Sequence, residues 1–135
     1  MPSKAELVCV DPARVSEFWP YVRGMIYRAV ARGGGDIRQI ERDVLSGSDL
    51  LWLAWDGASL MAAAVTSLGT VNGMKICTIA ACGGSGWPDF GHLLAGIETY
   101  AKSEGCMAMR IYGRSGWKRL LKGYRLRSVI LEKEI

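Results

Sequence analysis

Residues 75–94 read KICTIAACGGSGWPDFGHLL, and this stretch decides the fold. Its first part, Lys75–Ala81, is apolar and strand-like. It runs into a glycine-rich turn, Cys82-Gly83-Gly84-Ser85-Gly86. Phe90, Leu93, Leu94, Ile97 and Ala101 then recur at i, i+3, i+4, i+7 and i+11, the period of a helix with one apolar face. A strand feeding a glycine turn and then a helix points free backbone N–H groups and a helix N-terminus at one spot, which suits a pyrophosphate. Taken alone, the glycines read equally well as a plain connection between strand and helix.

Downstream, Gly105 ends the helix and Cys106–Tyr112 reads as a strand. The intervening helix predicts a parallel crossover between this strand and Met74–Ala81. Ser115 caps a short basic helix whose Trp117, Leu120, Leu121 and Tyr124 share a face, and Arg127–Leu131 reads as a last strand. Upstream, Asn72-Gly73 and Asp56-Gly57 are two-residue hairpin signals. They join Leu50–Trp55, Ser59–Leu68 and Met74–Ala81 into an antiparallel meander.

At the start of the chain, Glu6–Val10 reads as a first strand. Asp11-Pro12 opens a helix with Val15, Phe18, Trp19, Val22 and Ile26 at helical spacing. Pro20 predicts either a kink or a helix that begins only near Trp19. After Gly33-Gly34-Gly35, Asp36 with Gln39 starts a second helix with Ile37, Ile40, Val44 and Leu45 inward, closed by Gly47. The order is βααβββαβαβ, a mixed α+β fold over a single domain, residues 1–135.

The 135 residues, half of them apolar, are enough for one core and too apolar for a disordered chain. No run approaches the roughly 20 apolar residues of a membrane span, and Met1–Glu6 lacks the hydrophobic segment of a secretory signal. A soluble, cytoplasmic protein is expected. Cys9, Cys77, Cys82 and Cys106 form no CxxC pair, and with a single histidine they read as small core residues, not as a metal site. Cys82 has no histidine near in sequence to activate it as a nucleophile. The net charge is +4, and from Arg110 onward eight Lys/Arg face two acids, Glu132 and Glu134. This basic quarter suits a phosphate-bearing partner or a plain solvated surface.

The element order, the Gly123-Tyr124 dipeptide before the last strand and the run Trp52-Leu53-Ala54-Trp55-Asp56-Gly57 resemble GNAT-type N-acetyltransferases. Leu51–Ala54, Gly113–Arg119 and Gly123-Tyr124 together are similar to small GNAT-like proteins of phage and prophage genomes. The resemblance covers nearly the whole chain. It implies acetyl-CoA as cosubstrate, with its pyrophosphate on the backbone N–H groups of Gly83, Gly84, Ser85, Gly86 and Trp87. It also implies pantetheine along Thr78–Ala81, and a thioester carbonyl polarised by a backbone N–H near Ile79 or Ala81. Arg114 and Lys118 would reach the phosphates.

The family's loop, Arg/Gln-x-x-Gly-x-Gly/Ala, fits in two registers. One puts Ala81 at the Arg/Gln position with Gly84 and Gly86 as the glycines. The other puts Gly91 at the last position and Asp89 at the first glycine. The family's acidic Tyr falls at Arg119, which leaves Tyr112 as the candidate acid, with Tyr124 read as core. Glu98, Glu104 and His92 read as solvated positions on the cofactor helix. The rival implication is a non-catalytic module, cytoplasmic or virion-associated, that binds a protein partner or a second copy. A nucleic-acid surface ranks last, since the basic quarter lacks interleaved aromatics.

Overall fold

The computed structural model describes residues 6–33, 35–84, 89–112 and 121–135. Five strands form one sheet in the order β1-β2-β3-β4-β5. They are β1 (Glu6–Cys9), β2 (Leu50–Trp55), β3 (Leu60–Val71), β4 (Met74–Gly84) and β5 (Ala108–Ile111). The first four are antiparallel, and β4 and β5 are parallel, as the intervening helix requires. The helices are α1 (Val15–Gly33), α2 (Ile37–Leu45) and α3 (Asp89–Ser103).

Period-two alternation sorts the strand side chains onto two cores. Leu51, Leu53, Ala63 and Val65 face α1 and α2, with Trp19, Val22, Ile26 and Val44. Trp52, Ala54, Ala62, Ala64 and Cys77 face α3, with Leu93, Leu94 and Ile97. Small alanines along β3 let both helical layers approach the middle of the sheet.

Local chemistry sets the element ends. After a short 3-10 turn over Pro12–Arg14, α1 runs unbroken through Pro20. Pro20 and Ser16 are both exposed, so water can satisfy the Ser16 carbonyl that loses its helical donor. Asp36 caps α2, its Oδ1 accepting from the N–H groups of Arg38 (3.0 Å) and Gln39 (3.4 Å). Leu45, expected inward, is exposed, because the apolar stripe of this short helix is carried by Ile40 and Val44. α3 ends in a Schellman closure at Gly105 (φ +80°), with Cys106 N–H on the Ala101 carbonyl and Gly105 N–H on that of Lys102.

Asn72 and Gly73, both at positive φ, form the expected two-residue hairpin. The Asp56-Gly57 turn is longer than expected and spans residues 56–59. The Asp56 carboxylate accepts from Ala58 N–H (2.8 Å) and Ser59 N–H (2.7 Å), which stabilises an Asx-type loop over a tight hairpin. The expected last strand at Arg127–Leu131 is not formed: among the described residues, 124–135 carry no strand. Most of the helix expected from Ser115 falls on residues outside the described ones, and its expected end, Leu121–Tyr124, is not helical.

Asp49, just before β2, is half-buried and close to the charge of Asp43. Burial first, and that charge second, push its carboxyl up to about 6 from 3.8. A raised folded-state value means that the stabilising contribution is complete below about pH 3.8 and is lost as pH rises through about 6. Asp49→Asn is therefore expected to leave stability unchanged at pH 3.5 and to raise it by about 1 kcal/mol at pH 8, after allowance for solvent screening. Urea unfolding at the two pH values measures the difference, and an equal effect at both would refute the assignment.

Candidate functional site

The parallel β4/β5 ladder pairs Ile76 with Ala108 and continues to Ile79 with Ile111. It closes on a bond from the Tyr112 N–H to the Ile79 carbonyl (3.3 Å). There β5 ends while β4 continues to Gly84, still paired with β3 on its other side through Ala81↔Val65 and Gly84↔Ala62. Residues 80–84 thus have a β3 neighbour on one edge and no strand on the other among the described residues.

A β-bulge sits where the two strands part. Thr66 pairs with Ile79 and Val65 with Ala81, so Ala80 is the extra residue. The faces record it: Ile79 and Cys82 pack towards α3, whereas Ala80 and Ala81 both belong to the α1/α2 side. A bulge bends its strand and increases its twist, which turns the end of β4 away from β5. α3 starts at Asp89, five residues after β4 ends.

The glycines are placed differently from the expected turn. Gly83 and Gly84 belong to β4, and neither has positive φ. A Cβ on Gly83 would lie 2.8 Å from the Met25 carbonyl oxygen of α1. On Gly84 it would lie 2.5 Å from the Met61 carbonyl oxygen and 2.6 Å from the Ala62 Cβ. Both are glycines because helix and neighbouring strand approach there, a requirement local sequence does not reveal. Ser85, Gly86, Trp87, Arg114 and Lys118 lie outside the described residues. Thr78 and Ile79 stand in the paired part of the β4/β5 ladder, and Ala81 stands in the unpaired part, buried against the α1 layer.

Tyr112 stands just past β5, mostly exposed, at the point where the strands part. His92 is exposed on α3. Cys82 and Cys77 are buried, and burial pushes their thiols up to about 12 and about 11, far from thiolate chemistry. Cys9, expected in the core, is exposed on the edge strand β1. Glu98, expected in solvent, accepts a hydrogen bond from the Tyr124 hydroxyl (2.5 Å). Burial, then that carboxylate, raises the Tyr124 phenol well above its ordinary range. The pair joins residues 26 apart in sequence, so no local spacing predicts it. Among the described residues no cluster of His, Cys, Asp or Glu could hold a metal ion, and no helix is long and apolar enough to cross a membrane.

Known structures share this architecture over their full length. A GNAT family acetyltransferase from Staphylococcus aureus superposes with a TM-score of 0.64 at 12% identity, covering 98% of this chain and 99% of its own. An aminoglycoside acetyltransferase from an uncultured soil metagenomic sample, in complex with sisomicin, gives 0.67 at 10% identity, with 97% and 95% covered. The ribosomal-protein-alanine N-acetyltransferase of Brucella melitensis biovar Abortus gives 0.67 at 10%, with 96% and 99% covered. No protein-family model and no curated protein sequence matches the chain. The chain has the GNAT fold, with the parallel β4/β5 pair that the sequence predicts.

Proposed function

We propose that this chain binds acetyl-CoA or a related acyl-CoA in the opening between β4 and β5, and transfers the acyl group to an amine. The observation that carries the reading is the ladder that stops at Ile79↔Ile111 while β4 runs on past a bulge to Gly84. An unpaired strand edge offers N–H and C=O groups in the spacing that an extended amide chain such as pantetheine needs. The edge at Ala80–Ala81 is the place for such pairing and for a backbone N–H that polarises the thioester carbonyl. Thr78 and Ile79 line the closed end of the opening. Gly83 and Gly84 carry the strand towards the start of α3, where residues 85–87 and the helix N-terminus would hold the pyrophosphate.

Arg114 and Lys118 supply positive charge for the phosphates in this reading, and Tyr112 supplies the proton that the departing thiolate takes up. Tyr112 suits that role by place, since its backbone closes the β4/β5 ladder and its side chain is exposed. The buried thiols of Cys77 and Cys82 are held protonated, which favours direct attack by the amine over an acyl-cysteine route. The acceptor class is suggested by the aminoglycoside and ribosomal-protein-alanine enzymes of the same fold.

Melting in the presence of about 1 mM acetyl-CoA tests this. A ligand at about 100 times its dissociation constant adds roughly 2.7 kcal/mol, on the order of 8 °C for a domain of this size. An unchanged melting temperature in a folded sample would sink the reading.

A second reading is a GNAT-fold module of phage or prophage origin, without turnover, that binds a protein. Ala81 favours it: in one register it occupies the position of the family's Arg/Gln, yet it is a small side chain buried towards α1. Failure to turn over any CoA thioester, together with stable association with a partner protein, would select this second reading.

A further inference from the structure

Ser67 on β3, Thr78 on β4 and Arg110 on β5 stand side by side across three strands, since Ser67 pairs with Thr78 and Thr78 with Arg110. The alternation of faces puts all three on the α1 side of the sheet. Their chain neighbours Cys77, Ile79, Met109 and Ile111 pack into the α3 core, and Thr66 accepts from Trp52 of that core. Neighbouring strands lie about 4.8 Å apart, so two hydroxyls and a guanidinium form one short polar row. All three residues are partly buried, neither sealed in the core nor free in solvent.

The row lies one residue from the point where β4 and β5 part, at Ile79↔Ile111. Ala80, the bulged residue at the start of the unpaired edge, is two residues, about 7 Å, from Thr78 along β4. An extended arginine side chain covers that distance. On the α3 side this point is closed by Ile79, Cys82, Leu93 and Leu94, all buried. An acceptor therefore reaches a thioester at Ala80–Ala81 from the α1 side, where the polar row stands.

We propose, building on the acyl-transfer reading above, that the acceptor is an amine carrying a carboxylate, held by Arg110 and the Thr78 and Ser67 hydroxyls. A guanidinium fork donates two parallel N–H bonds to the two oxygens of a carboxylate, and the hydroxyls donate to lone pairs that remain. The single charge of Arg110 matches a carboxylate. A phosphomonoester, with nearly two negative charges, would keep one uncompensated, and a polycation would be repelled. With its carboxylate fixed at the row, the neutral amine is presented to the thioester across the Ala80 bulge. Its nitrogen bonds to the carbonyl carbon, the C–S bond breaks and the sulfur leaves with the electron pair. The amine's surplus proton passes to water. Tyr112 gives one proton to the sulfur and regains it from water.

Rates of acetylation from acetyl-CoA test this on the standard amino acids, each beside its C-terminal amide, with phosphoethanolamine and sisomicin as further acceptors. At least one amino acid is expected to exceed its amide by tenfold or more in kcat/KM, since a site built to bond a group rejects the analogue lacking it. That ratio is read on the unmodified chain. Arg110→Gln is expected to bring it close to one, mainly by raising KM for the acid, and Arg110→Lys to restore part of it. The melting shift with acetyl-CoA, retained in both variants, shows them folded. Equal rates for every acid and its amide overturn the proposal. A preference for phosphoethanolamine or sisomicin, or a ratio that survives Arg110→Gln, does the same. A chain that shifts with acetyl-CoA yet acetylates none of these amines overturns this proposal alone, whereas a chain with no shift overturns the acyl-transfer reading along with it.

Discussion

A Gly84→Ala chain is expected to unfold at lower urea concentration than the parent, with a loss of about 3 kcal/mol and an unchanged m-value. The new Cβ would meet the Met61 carbonyl oxygen at 2.5 Å, the Ala62 Cβ at 2.6 Å and the Ala62 Cα at 2.8 Å. Two of those three atoms are backbone of the paired strand β3, so no rotamer change relieves them. The ladder would have to open at Ala62↔Gly84, the pair at its end. Gly57→Ala is the matching control. Gly57 has φ +95° with nothing within 4 Å of a Cβ, so alanine there meets only backbone strain, about 1 kcal/mol. Equal losses in the two variants would mean that β4 does not continue through Gly84. The comparison also bears on the cofactor reading. A Gly84 variant that fails to bind acetyl-CoA says nothing about pyrophosphate, because the fold is damaged at the same place.

Thr66→Val is expected to cost about 2 kcal/mol, although the two side chains are nearly the same size. The Trp52 indole N–H donates to the Thr66 hydroxyl at 2.9 Å, and both side chains are buried. Trp52 also stands edge-on to Tyr100, ring centres 5.1 Å apart, which ties β2 to α3 and holds the indole where it is. Valine would leave that N–H buried without a partner, and an unmade buried bond costs more than the bond contributes when formed. Thr66→Ser keeps the hydroxyl and is expected to retain most of the difference. Thermal unfolding of the three chains reads the effect. A valine variant as stable as the parent would show that the indole finds another acceptor. The position matters for the site as well, since Thr66 pairs with Ile79 at the bulge that parts β4 from β5.

How far the sequence carries the argument depends on the range of the forces involved. Helices and strands are decided within a few residues by periodicity and turn chemistry. Leu93, Leu94 and Ile97, at i+3, i+4 and i+7 from Phe90, are the buried face of α3, and Gly105 and Asn72-Gly73 end their elements as expected. The parallel β4/β5 pair also follows from chain order, because a helix between two strands requires a crossover. These features were legible because each rests on neighbours along the chain.

The parts that define the candidate site rest on neighbours across it. Gly83 and Gly84 look like a phosphate turn in sequence, yet they are strand residues whose missing side chains make room for Met25 and for Met61 and Ala62. Glu98 looks solvated, until Tyr124 arrives from the far end of the chain. Arg127–Leu131 has the composition of a strand, but composition cannot supply a partner. Outside the last segment and the end of β4, sequence alone determined which segments become helix or strand and the order in which they are joined, since those preferences are local. Where β4 parts from β5, which glycines are steric necessities and what stands beside the last segment were decided only by tertiary packing. Those outcomes depend on distances of a few ångströms between residues far apart along the chain.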